Sequence, residues 1–295
     1  MNKKLHIELI FLILLGAITS LSLPPLNYFI INFFTFSSFF VFLFKKLNQH
    51  NNKKLFFMYG WFFGFGYFLT NLYWISISLT FDQNFQFLIP LTVILIPAFL
   101  ALFYGLISFF FLLLKPKKII SSFLIFSLIF GVFEFIRGSI LTGFPWNLIA
   151  YSFSNQLEIL SITSFIGTYG LNLLCISLFT SSATLILRDK NKELGIIIFF
   201  LTAFFIFYIY GNFYKEKFDK ALEKKFDYKI RVIGSNISLD RFYQNLDTTS
   251  VIQDLIELSN PNDKDKTIFI WPEGIIPNIS QEELTQFSSL FDKRF

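Results

Sequence analysis

The sequence predicts a polytopic α-helical membrane protein of about seven transmembrane helices, followed by a short α/β segment. Three observations carry this. The 295 residues are 54% hydrophobic and only 15% charged, with a mean hydropathy of +0.58, outside the range of ordinary soluble domains. Apolar runs of spanning length recur up to residue 213. Beyond it the pattern turns to charged, strand-like and amphipathic stretches.

Runs of roughly 17 to 25 apolar residues read as spans, which gives seven segments near 7 to 23, 26 to 44, 55 to 80, 85 to 114, 119 to 136, 158 to 187 and 194 to 213. The first follows Lys3 and Lys4 and ends near Ser20-Leu21-Ser22. It reads as an uncleaved anchor in preference to a signal peptide, and either reading leaves the tail on the same side. The third holds Gly60, Gly64 and Gly66. Gly60 and Gly64 have the GxxxG spacing of a close helix contact, and the Tyr67, Asn71, Tyr73, Trp74 and Ser76 that accompany or follow them are candidates to line an outward cavity. The fourth is overlong and contains Pro90 and Pro97, which predicts tilt, a kink or a partly interfacial part.

The fifth segment ends in Glu134 and Arg137, spaced i, i+3 on one helix face. Two readings stay open: an ionisable pair with a functional role, or two side chains snorkelling to the interface. The loop Thr142-Gly143-Phe144-Pro145-Trp146-Asn147 follows, with Trp suited to an interfacial anchor. Trp74, Glu134, Arg137, Trp146 and Asn147 are the candidate lipid- or substrate-facing residues of the membrane part.

Charge sets the orientation. With the N-terminus inside, twelve Lys and Arg (3, 4, 45, 46, 53, 54, 115, 117, 118, 188, 190 and 192) fall on cytoplasmic segments, and only Arg137 falls on the opposite loops. That bias predicts a tail outside the cytoplasm. The net charge of +5 resides in the membrane part and reads as a topology signal, so no nucleic-acid partner is expected. The 45 Phe accompany abundant Ile, Asn and Lys and reflect a compositional bias. One cysteine, Cys175, lies inside the sixth segment and reads as packing; with one cysteine there is no intrachain disulfide and no Cys-based metal site. Both histidines, His6 and His50, lie at the cytoplasmic edge, which excludes a His-dependent triad in the tail.

The tail begins with a charged stretch, 214 to 229, that carries Phe218, Leu222 and Phe226 at i, i+4, i+8. It reads as an amphipathic connector helix or, equally, a solvated linker. A strand at Ile230 to Gly234, a helix at Asp247 to Ser259 capped by Asp247 or Thr248, a polar turn at Asn260 to Lys266 and a strand at Thr267 to Trp271 follow. Strand, helix, strand implies a parallel βαβ unit, with Glu273 just past the carboxyl end of the second strand; α/β folds display catalytic groups there, but from the residues alone Glu273 reads first as a surface strand-end acid. Pro272 ends that strand sharply. One such unit is too small to bury its own sheet, so residues 230 to 295 read as an incomplete domain, completed by a second chain or belonging to a longer one.

Four motifs, in order, resemble those of the apolipoprotein N-acyltransferase family, bacterial inner-membrane enzymes that add the last acyl chain to lipoproteins. They are Gly60-Trp61-Phe62-Phe63-Gly64-Phe65-Gly66-Tyr67 with Trp74-Ile75-Ser76; Glu134-Phe135-Ile136-Arg137-Gly138 through Leu141 to Asn147; Gly167-Thr168-Tyr169-Gly170; and Trp271-Pro272-Glu273-Gly274-Ile275-Ile276-Pro277. The resemblance implies a nitrilase-like αββα domain after the seventh span, a multi-pass inner-membrane location and a periplasmic C-terminal segment. It also implies ping-pong chemistry. A cysteine thiolate takes an acyl chain from a phospholipid and passes it to the α-amino group of a diacylglyceryl-cysteine lipoprotein. A glutamate serves as general base and a lysine holds the oxyanion; no cofactor or metal is needed.

The glutamate of the motif matches Glu273. The family's lysine and cysteine come further downstream and have no counterpart through Phe295: Lys293 comes too early, and Cys175 lies in the membrane part. Gly234 and Leu239 stand where the family has glutamines, and no Pro follows Ile237. The expectation is a chain that does not transfer acyl groups alone. The competing reading is a non-catalytic membrane protein that binds lipid or a partner chain. A transporter finds little support, since no internal repeat stands out.

Overall fold

The computed structural model describes all residues except 1–2, 50, 142, 189, 223–226, 235–246, 263–265, 277–278, 281 and 292–295, and the side chain of Leu222. His50, Thr142, the stretch 235–237, Leu239, Phe226, the middle of the 260–266 turn, Pro277 and Lys293 therefore lie outside the described residues. The chain divides into two units, Met1–Phe218 and Asp219–Phe295.

The first unit is built from α1 (Lys3–Thr19), α2 (Ile31–Leu47), α3 (Lys53–Leu72), α4 (Ile89–Leu114), α5 (Ile119–Ser139), the short α6 (Leu157–Leu160), α7 (Thr163–Ser181), α8 (Ala183–Leu187) and all but the last turn of α9 (Leu194–Leu222). Five stretches among the described residues are long and apolar enough to cross a membrane: Lys3–Ser22, Gln83–Leu114, Ile119–Ser139, Thr163–Leu187 and Asn191–Ala221. The second and third sequence segments fall short of that measure for identifiable reasons. Helix α2 has 17 residues. Helix α3 opens on Lys53 and Lys54 and mixes glycines, Tyr, Trp and Asn among its phenylalanines, and Tyr73–Thr80 beyond it is 3-10 and not α.

Helix α4 continues through Pro97, and α7 breaks at Gly167, where φ is 71°. The last apolar helix runs on to Leu222, into the charged stretch.

The core is aromatic. Phe36, Phe39, Phe40, Phe63, Phe111, Phe123, Phe126 and Phe130 are buried together, and Phe39 stacks on Phe63 at 4.1 Å between centroids. In a bilayer the neighbouring lipid is as apolar as the core, so association rests on close packing and interhelical polar bonds. Glycines permit that closeness. A Cβ on Gly60 would collide with the backbone carbonyl of Tyr104, and one on Gly64 would lie 2.7 Å from the Tyr104 Cβ; this GxxxG pair seats α3 on α4.

Polar ties complete the bundle. Lys46 on α2 donates to Glu8 on α1 at 2.7 Å, and Tyr59 on α3 donates to the other carboxylate oxygen at 2.9 Å. Ser37 on α2 donates to the Phe179 carbonyl of α7 at 3.0 Å.

The second unit holds β1 (Lys229–Val232) and β2 (Thr267–Ile270), parallel and in register from Lys229 opposite Thr267 to Val232 opposite Ile270. Between them in sequence lies α10 (Thr248–Ser259). Its N-cap is Asp247, whose carboxylate accepts from the Thr249 N–H, so the cap falls to Asp247 of the two candidates. Val251 and Leu255 of α10 bury against Ile275, with Trp271 and Ile276 at the edge. Further on, the Ser280 backbone N–H and hydroxyl hold the Glu283 carboxyl below its ordinary pKa. Ile230, Val232, Ile268 and Ile270 are all exposed, as expected of two strands with little to cover them.

Candidate functional site

Glu134 and Arg137 lie one turn apart on α5, and both are 1% exposed. Their pairing is bidentate: Arg137 Nη2 donates to Glu134 Oε2 at 2.7 Å and Nε to Oε1 at 3.3 Å. The remaining nitrogen, Nη1, donates to the backbone carbonyls of Phe144 at 2.7 Å and Trp146 at 2.9 Å. The guanidinium also sits over the Phe68 ring, 5.3 Å from its centroid. Every one of these contacts satisfies a buried charge, the condition for such a pair to persist in a low-dielectric interior. Its consequence is to fasten the loop after α5 back onto the helix.

The loop is shaped for that return. Leu141 and Asn147 have φ of 58° and 60°, and Gly143 has φ of 76°, a left-handed conformation that glycine takes without steric cost. The Phe144 N–H donates to the Arg137 carbonyl at 3.1 Å. Tyr67 on α3 donates to the Asn147 carbonyl at 2.7 Å, and the Trp146 indole stacks on Trp74 at 5.3 Å.

Beside this loop opens a cavity of about 890 Å3. Its walls are Trp74, Ile75, Ile77, Ser78 and Phe81 after α3, Leu95, Ile96, Phe99, Leu100 and Phe103 on α4, and Arg137, Ile140, Leu141, Gly143, Phe144 and Trp146. Its size and apolar lining suit a long hydrocarbon group. Of the five candidates from sequence, Trp74, Arg137 and Trp146 line it; Glu134 and Asn147 stand behind, fixing Arg137 and the loop. The α4 wall and Leu141 carried no sequence signal, because α4 is apolar all round and shows no preferred face. Cys175 is fully buried in the helical core and is not among the lining residues.

In the second unit Glu273 is exposed in the turn that follows β2, next to Gly274, whose φ is 65°. It makes no hydrogen bond or ion pair among the described residues. The turn is anchored on either side: the Trp271 indole N–H donates to Ser259 Oγ at 2.9 Å, and Ile275 is buried against α10. No group of His, Cys, Asp and Glu able to hold a metal occurs among the described residues.

These features define a helical membrane protein with a lipid-sized cavity at one end of its bundle. Residues 15–181 match the family model of the apolipoprotein N-acyltransferase N-terminal domain, and the chain belongs to that family. It is similar to the apolipoprotein N-acyltransferase of Rhodopseudomonas palustris, 29% identical over 296 aligned positions that cover 95% of this chain and 54% of the relative. The Rickettsia typhi protein of that name is 30% identical over 94% of this chain and 55% of the relative. The one from Rickettsia prowazekii is 36% identical over 63% and 36%. The chain spans about half the length of these curated relatives. Trp74, Glu134, Arg137, Trp146 and Asn147 all fall within the matched stretch.

Proposed function

We propose that this chain contributes the membrane part and the opening of the catalytic domain of a bacterial lipoprotein N-acyltransferase. The observation that carries the reading is the family match over the same residues that build the apolar cavity. In this account seven helices cross the inner membrane, α2 and α3 included, and residues after α9 face the periplasm. The support for that orientation is the distribution of Lys and Arg.

The acyl chain of a phospholipid donor occupies the cavity between α4 and the Trp74–Trp146 stack. Arg137 and Glu134 are positioning residues, holding the loop that forms one wall. Glu273, at the carboxyl end of β2, is the general base: it takes a proton from the thiol that attacks the phospholipid ester and passes it to the departing lysophospholipid hydroxyl, then takes one from the attacking α-amine of the diacylglyceryl-cysteine acceptor and returns it to the thiol released from the thioester. In the family's pattern that thiol and the lysine that steadies the oxyanion follow downstream of the Trp-Pro-Glu motif. Residues 230 to 295 are then the start of a nitrilase-like αββα domain after a connector at 214 to 229, completed by further residues of the same protein or by a second chain. Neither a cofactor nor a metal enters the chemistry.

The test is lipopeptide acylation by membranes carrying this chain together with its downstream reading frame, using phospholipid and a diacylated lipopeptide. Active membranes are expected, with Glu273→Gln lowering the rate at least about a hundredfold while membrane insertion stays intact. Substantial residual turnover by the Gln variant would remove Glu273 from the mechanism. Absence of transfer by the wild-type assembly would favour the alternative, a non-catalytic membrane subunit.

A further inference from the structure

A second depression, of about 280 Å3, lies between α3 and α4 and is lined by Lys53, Lys54, Phe57, Leu106 and Phe109. It shares no residue with the cavity at Trp74. Helix α3 has 20 residues and so spans about 30 Å, which separates the two sites by roughly the thickness of a bilayer core. Gly105 shapes the groove: a Cβ there would lie 2.7 Å from the Phe57 ring, so its absence lets that ring lie against α4.

The charge at the mouth is unbalanced. No acidic residue lines the groove, and neither lysine takes part in an ion pair among the described residues. Both lysines are exposed. They occupy the first two positions of α3, where the helix's own partial positive charge disfavours cations. Asn52 caps the helix by accepting from the Leu55 N–H at 3.1 Å, which does nothing to offset the two ammonium groups. An anion at this point would turn an unfavourable arrangement into a favourable one.

We propose that this groove binds a phospholipid with a net negative headgroup, its phosphate at Lys53 and Lys54 and one acyl chain along Phe57, Leu106 and Phe109. The lipid is drawn from the leaflet on the lysine side, which is cytoplasmic on the orientation given above. Charge complementarity selects it over a zwitterionic lipid, whose own ammonium cancels part of the attraction. Its role is that of a resident lipid at the α3–α4 seam, distinct from the acyl donor.

The test is native mass spectrometry of the full chain in detergent, titrated with phosphatidylglycerol and, separately, phosphatidylethanolamine of the same acyl chains. The wild type is expected to retain phosphatidylglycerol preferentially. The Lys53→Ala/Lys54→Ala variant should lose roughly thirtyfold in that affinity, and Leu106→Trp, which fills the groove and keeps both charges, should also weaken it. Lys117→Ala/Lys118→Ala removes the same charge elsewhere and should leave binding unchanged. Equal retention of the two lipids by the wild type, equal loss in the Lys117/Lys118 control, or undiminished binding to Leu106→Trp would each overturn the proposal. The readout needs neither acyl transfer nor a defined leaflet, so its failure leaves the acyltransferase reading standing.

Discussion

Arg137 carries its charge at 1% exposure because each nitrogen of its guanidinium meets an acceptor: the Glu134 carboxylate or the carbonyls of Phe144 and Trp146. Truncating either member of such a pair strands the other charge without water. Arg137→Ala is therefore expected to destabilise the chain by about 3 to 5 kcal/mol, with Glu134→Ala close behind. Thermal unfolding in detergent, followed by loss of monodispersity, measures this, and wild-type behaviour of both variants would reduce the pair to an incidental contact. The i, i+3 spacing made the pairing legible in the sequence, but the fate of Arg137's third nitrogen was not. Its carbonyl partners are brought back by left-handed turns at Leu141 and Gly143, and of these only the glycine hints at such a turn. The bonds that join Glu8 to Lys46 and Tyr59 escaped notice for a related reason: the partners are far apart in sequence, and no local pattern joins them.

Helix α4 and the stretch that follows α3 supply most of the cavity wall, and the contact of α3 with α4 rests on Gly60 and Gly64. A methyl group at Gly60 meets the backbone carbonyl of Tyr104, which no rotamer change can relieve. Gly60→Ala should therefore destabilise by roughly 1 to 3 kcal/mol, despite the better helix propensity of alanine. Gly195→Ala, on α9 with nothing within 4 Å, should be neutral or slightly stabilising in the same thermal assay. Equal behaviour of the two variants would show that α3 and α4 tolerate separation.

At this scale the sequence was most readable where an element announces its own ends. The Asp247 cap of α10 belongs to this class, as do the glycines of the GxxxG contact. It was least readable on α4, where uniformly apolar residues conceal which of them face the cavity. Length misled at the third segment: its apolar run reaches residue 80, yet the α-helix stops at Leu72.

For the molecule as a whole, family membership and the aromatic helical core agree in making this a membrane protein, and the account then depends on orientation. Two placements must hold together. The Glu273 turn has to reach the side where lipoproteins are matured, and the lysine-rich ends of α3 and α5 have to lie on the other. Hydropathy supports five crossing helices outright, and five or seven crossings alike put the tail opposite Lys117 with the N-terminus inside; α2 and α3 must supply the other two for Lys45, Lys46, Lys53 and Lys54 to share the side of Lys117.

The most direct measurement is site-directed labelling with a membrane-impermeant maleimide in a Cys175→Ala background, comparing Ser280→Cys in the second unit with Lys117→Cys before α5. The account predicts that Ser280→Cys is labelled in spheroplasts and protected in inside-out vesicles, and that Lys117→Cys shows the reverse. Labelling of both from the same side would contradict it.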